Sequence, residues 1–124
     1  MQSGDNIIKR KSFSFAVRVV NLCKLLQAER KEFVMSKQLL RSGTSIGANI
    51  REALNAQSKP DFIHKLSISQ KECDESLYWL ELLKETNYIN QLEFESISHD
   101  NIELLKILRS IIMASKKTFI IHNS

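Results

Sequence analysis

Turn-forming residues are nearly missing from this sequence: of 124 residues, three are glycine and one is proline. Sandwiches and barrels need many short strands joined by Gly- and Pro-rich turns, so composition excludes an all-β architecture and requires long elements. Cysteine is equally sparse. The two present, Cys23 and Cys73, lack the close spacing of a metal or redox pair and read as reduced packing residues. No apolar run reaches the roughly 20 residues that span a bilayer; Phe13 to Leu26 is interrupted by Arg18, Asn21 and Lys24. Met1 to Lys11 has charges but no following apolar stretch of the signal-peptide kind, so the expected location is the cytoplasm, with no membrane partner.

The motifs of common chemistry are lacking too. Neither G-x-G-x-x-G nor G-x-x-x-x-G-K occurs. A carboxylate-bridged di-metal bundle needs two Glu-x-x-His pairs; there are none, and Asp61-x-x-His64 is the nearest approach. Neither cysteine sits at a helix start, where a thiolate would be stabilised. The acidic run Glu72, Asp74, Glu75, Glu81 and Glu85 reads as a solvated face or a partner for neighbouring cations. No catalytic residue, metal or cofactor is expected.

What is present is helical periodicity in a chain 43% hydrophobic and 26% charged, ordinary values for one globular domain. A basic segment over 1–11 reads as loose. The first helix is predicted over 12–29, with Phe13, Ala16, Val17, Val20 and Cys23 on its apolar face and Val19, Leu22 and Leu26 widening it. The second is predicted over 36–57, with Ser36 as N-cap and Leu39, Gly43, Ile46, Ile50 and Ala53 inward. Gly43 and Gly47 inside it imply either close approach of another backbone or a kink. The third is predicted over 60–85, opened by Pro60 with Asp61 in the first turn; Phe62, Leu66, Ser69, Cys73, Leu77, Leu80 and Leu83 trace its inner side. After a turn at 86–90, the fourth is predicted over 91–117, with the seam Phe94, Ile97, Asn101, Leu104, Leu108, Ile111. A short tail, 118–124, follows. Long helices joined by short links give an all-α, antiparallel up-and-down four-helix bundle spanning 12–117.

Charge is uneven along the chain. Residues 1–59 hold eleven Lys/Arg against four Asp/Glu, and residues 60–124 hold seven against ten. On a helical wheel Lys37, Arg41, Thr44, Ala48, Arg51 and Asn55 lie within about 40° of one line, opposite the apolar face. Small residues between arginines let a phosphate backbone come close, and the guanidinium fork suits phosphate. Lys37, Arg41 and Arg51, extended by Arg18 and Lys11, are therefore the candidate nucleic-acid-binding residues. The bland reading is a solvated face with Arg41 and Arg51 paired to nearby carboxylates. Ser45, Asn49 and Glu52 lie at the edge of the apolar face and are read as a structural polar network reaching Lys71, Glu72 or Glu75. Trp79, Leu82, Tyr88 and Ile102 form an apolar surplus of the kind that marks a subunit contact.

The stretch Gln38 to Ala53, QLLRSGTSIGANIREA, resembles the signature of the four-helix-bundle proteins encoded in 23S rRNA intervening sequences of bacteria. Asp61-Phe62-Ile63, Lys65-Leu66, Lys71-Glu72, Glu75 and Tyr78-Trp79-Leu80 extend the resemblance over roughly residues 12–115. It implies a homopentameric ring. It also implies similarity to the accessory variability proteins of diversity-generating retroelements, which are basic pentamers that bind nucleic acid and a reverse transcriptase. The expectation is a non-enzymatic homo-oligomer that binds RNA or DNA, with a nucleic-acid-processing protein as a further partner. The alternative is a structural or protein-interaction module without nucleic-acid binding.

Overall fold

The computed structural model describes the backbone of residues 3–123 and the side chains of residues 7–118. Among them are four helices and no strand: α1 (Ser3–Ala28), α2 (Met35–Leu54), α3 (Lys59–Glu85) and α4 (Gln91–Asn123). The starts of α2, α3 and α4 are each fixed by local chemistry. The α1–α2 link buries Glu32, whose carboxylate accepts the backbone N–H groups of Val34, Met35 and Ser36 at 3.0, 2.9 and 2.6 Å. Those are donors that a helix start leaves unpartnered. Ser36 is thus not the N-cap expected; Glu32 does that work, and Ser36 lies buried within the first turn. Ser58 caps α3 by accepting from Asp61 N–H at 3.2 Å, with Pro60 in the first turn. Asn90 and Glu93 cap α4 reciprocally, each side chain accepting the other's backbone N–H at 2.8 Å.

Consecutive helices pack side by side and α4 returns to α1, closing the square; α1 and α4 meet less closely than the other pairs. The core is built from one face of each helix, including Phe15, Val19 and Leu26 of α1, Leu39, Ile46 and Ile50 of α2, Leu66, Leu80 and Leu83 of α3, and Leu104 and Leu108 of α4. Gly43 resolves in favour of close approach. The α2 helix runs unbroken through it, and a Cβ there would lie 2.8 Å from both Val19 methyls.

Four further expectations are corrected. Residues 3–11 are helical rather than loose, because Ile8 and Ser12, both 1% exposed, continue the inward face of α1. Positions 1 and 2 lie outside the described residues. The last helix continues past Lys117 to Asn123, so most of the expected tail is helix. The inward face of α1 is turned from the one predicted. Phe13 and Val17 are 56% and 45% exposed, while Phe15 and Val19 are buried. In the other direction, α2 ends at Leu54, short of the expected residue 57.

Candidate nucleic-acid interface

The five cations singled out in the sequence fall into two groups. Three are occupied by carboxylates of neighbouring helices. Lys11 Nζ lies 2.9 Å from Glu103. Arg18 bonds Asp100 at 2.7 Å, the Ser96 carbonyl at 3.0 Å and the Ser96 hydroxyl at 2.8 Å. Arg41 reaches from α2 to α3 and bonds Glu72 at 2.9 Å and, more closely, Glu75. Glu75 also accepts from Trp79 Nε1 at 3.1 Å. The Trp79 N–H and the guanidinium together hold the Glu75 carboxyl below its usual range. Arg51 and Lys37 are different. Among the described residues neither pairs with a carboxylate; the Arg51 guanidinium carbon sits 5.5 Å from the Phe13 ring centre, and Lys37 is exposed.

The trio Ser45, Asn49 and Glu52 is not the network expected. Ser45 donates to the Arg41 carbonyl and Asn49 to the Ser45 carbonyl, both within α2. Glu52 pairs with Lys65 at 2.9 Å rather than with Lys71, and Glu72 and Glu75 are held by Arg41. The polar links that cross the core lie elsewhere. Ser76 donates to the Ser42 hydroxyl at 2.8 Å, and Ser69 to the Ile46 carbonyl at 2.9 Å. Asn101 donates to the Cys73 carbonyl at 3.1 Å, while the Cys73 thiol donates to the Asn101 carbonyl at 3.2 Å. Every buried side-chain nitrogen and oxygen among the described residues has a partner. Inward serines at helical spacing were the signal for these bonds, but a serine in a helix equally bonds its own turn.

Chemistry at the cysteines is suppressed. Burial, with Glu32 adding to it, pushes the Cys23 thiol up to about 12. Burial and Asp74 push the Cys73 thiol to the same value, against a smaller opposing effect of Arg109. A groove of about 490 Å³ runs where α1 and α4 part, lined by Arg18, Asn21, Leu22, Leu92, Ser96 and Ile97. Its arginine is already committed to Ser96 and Asp100. Among the described residues there is no cluster of three metal-ligating side chains, and no helix long and apolar enough to cross a membrane.

The charge asymmetry between chain halves is largely cancelled sideways, by Lys11–Glu103, Arg18–Asp100, Arg30–Glu93 and Arg41 with its two glutamates. What survives runs along the bundle axis. The contacts Val19–Gly43, Arg41–Glu72 and Cys73–Asn101 mark one level across the four helices. On the side holding the α1 N-terminus and α4 C-terminus (3–16, 45–72 and 102–123), eleven Lys/Arg face five Asp/Glu, a net +6. On the other side (17–44 and 73–101), seven face nine, a net −2. The hairpin connections spread this pattern over five separate stretches of sequence, which is why it is not visible in linear order.

The profile of the 23S rRNA-intervening sequence protein family matches residues 4–110. Among solved structures, the chain is similar to a protein of unknown function from the S23 ribosomal protein family of Bacteroides thetaiotaomicron. The two share 62% sequence identity at a TM-score of 0.88, over 89% of this chain and 98% of that one. Among curated proteins, none matches this sequence.

Proposed function

The chain belongs to the 23S rRNA-intervening sequence protein family, and from that premise we propose that it is a non-enzymatic oligomer that binds RNA or DNA through basic surface without strong sequence preference. The observation that carries this reading is the axial segregation of charge, which gathers a net +6 at one end of the bundle. A field of that sign draws in phosphate backbones and adds counterion release to the affinity, and neither depends on base identity. Among the described residues Arg51, on that end, has no carboxylate to displace, and neither has Lys37, which stands on the opposite end. Lys11, Arg18 and Arg41 contribute less, since a phosphate must first compete with their carboxylates. High thiol pKa values at both cysteines support the non-enzymatic part.

Exposed apolar side chains support assembly: Phe13 at 56%, Val17 at 45% and Leu92 at 77%. Outlying apolar surface of this kind is commonly covered by another subunit. The homopentameric ring and the adaptor role toward a nucleic-acid-processing protein in the cytoplasm, as in the accessory variability proteins, belong to the same proposal. The same apolar surface favours the second reading, an assembly module without nucleic acid.

A titration against fluorescent duplex DNA and structured RNA at two salt concentrations separates the two, with the mass measured on the same sample. Binding that weakens steeply with salt is the expected result. An oligomer that binds neither probe at the lower salt leaves the assembly module.

A further inference from the structure

The sequence directs attention to α2, yet an open basic surface also lies on α4. After Glu103 the chain contains no acidic residue, whereas Lys106, Arg109, Lys116 and Lys117 follow. At 100° per residue these four span an arc of about 100°, and all four are exposed. Among the described residues none of them lies within ion-pair distance of a carboxylate. Met113, 71% exposed, lies on the same arc. The acidic residues of α4 that meet α1 (Glu93, Asp100 and Glu103) lie on the other flank, where Arg30, Arg18 and Lys11 neutralise them. The stripe therefore faces away from the seam with α1.

A structural explanation exists for part of this. Cations in the last turn of a helix offset its dipole, but that effect fades within one turn. Lys106 and Arg109 stand far upstream of the helix end at Asn123, so the dipole does not account for them. We infer that this outward stripe of α4 is the surface on which the phosphate backbone of a nucleic acid lies. The inference rests on the nucleic-acid reading above and assigns it a site. From Lys106 to Lys117 the stripe is about 16 Å long at 1.5 Å per residue, the length of about five base-pair steps at 3.4 Å of rise along a duplex axis. Its three lysines supply point charges and Arg109 a two-pronged donor.

The test compares two full-length variants with the same total change in charge. One is Lys106→Gln/Arg109→Gln/Lys116→Gln/Lys117→Gln. The other is Lys24→Glu/Lys31→Glu, which alters exposed lysines on the opposite half of the bundle. Binding to fluorescent duplex DNA is followed across a salt series, with circular dichroism and sedimentation mass on each protein. The expected result is a salt dependence for the α4 variant shallower by about 3 to 4 in log–log slope, with affinity at the lowest salt at least about tenfold weaker. The control should change the slope by less than about one. If wild-type protein binds but the α4 variant binds as well, or both variants weaken alike, the assignment to α4 is wrong while nucleic-acid binding stands. Loss of binding together with break-up of the oligomer also overturns it, by making the stripe a subunit contact. Wild-type protein that fails to bind at the lowest salt overturns the assignment and the functional reading together.

Discussion

Two glycines four residues apart in α2 should respond oppositely to the same substitution. Replacing an interior helix glycine by alanine ordinarily stabilises by roughly 0.5–1 kcal/mol, because the unfolded chain loses freedom. At Gly47 nothing opposes that gain: the nearest atom to the new Cβ is Ser12 Oγ at 3.4 Å, an ordinary contact. At Gly43 the Cβ would sit 2.8 Å from both Val19 methyls and 3.2 Å from Val19 Cβ. Val19 is fully buried, and a β-branched residue in a helix has one strongly preferred rotamer, so it cannot swing aside. Overpacking of this kind costs about 1–3 kcal/mol. Gly43→Ala is therefore expected to lose stability by up to about 2.5 kcal/mol, and Gly47→Ala to gain about 0.5–1. Urea unfolding at one fixed protomer concentration reads both, the fixed concentration being needed because association adds to apparent stability. Adding Val19→Ala to Gly43→Ala should cost less than the two single changes together. Should Gly43→Ala prove as stable as Gly47→Ala, the tight seam between α1 and α2 is wrongly described.

Burial raises the Glu32 pKa, but the three backbone N–H groups and the Ser36 hydroxyl outweigh it and leave the carboxyl below its usual value. Glu93 is lowered chiefly by Arg30, and Glu75 by Trp79 and Arg41. Folded values below the unfolded one mean that their stabilisation is present above pH about 4.3 and is lost as pH falls through the folded values; unfolding free energies at pH 7, 5 and 3 check this. Glu32→Gln should cost about 1–3 kcal/mol at pH 7 and flatten part of that acid decline. A thiol pushed up to about 12 has roughly one part in ten thousand as thiolate at pH 8. Both cysteines should therefore resist a disulfide reagent in the native protein and react on unfolding; rapid native reaction contradicts their burial. Arg41→Gln should cost no more than about 1 kcal/mol in the same urea assay, because that guanidinium is half exposed and solvent screens its pairs.

The bundle was legible because α2 separates apolar from polar residues cleanly. All five positions assigned to the inward face of α2 (Leu39, Gly43, Ile46, Ile50 and Ala53) are buried. Orientation of α1 was not legible. From Phe13 to Val20 only Ser14 and Arg18 break the apolar run, so two faces satisfy a helical period equally well. What decides between them is tertiary: Val19 fits against Gly43, and Arg18 must point at Asp100 of α4. The same limit applies to the basic residues. Arg41 looks available beside Lys37 and Arg51 until α3 brings Glu72 and Glu75 to it. Glu32 gave no sign of its role either, since an acidic residue four positions before Ser36 fits no capping pattern read forward from a helix start.

Arg30 bonds Glu93 through both guanidinium nitrogens, at 3.0 and 2.6 Å, and the Tyr88 carbonyl at 2.7 Å. It thereby ties the α1–α2 turn to the α3–α4 turn. Three of the four helix seams join neighbours in sequence and can zip as soon as each hairpin forms. The seam between α1 and α4 must instead close the whole chain on itself, and it is the loosest of the four. Pinned by Arg30 at the acidic end, that seam is a fork whose hinge lies at the turns and whose tines are the N-terminus of α1 and the C-terminal half of α4. Amide exchange should accordingly be slowest near Arg30 and Glu93 and quicken toward the basic end, where the fork opens first.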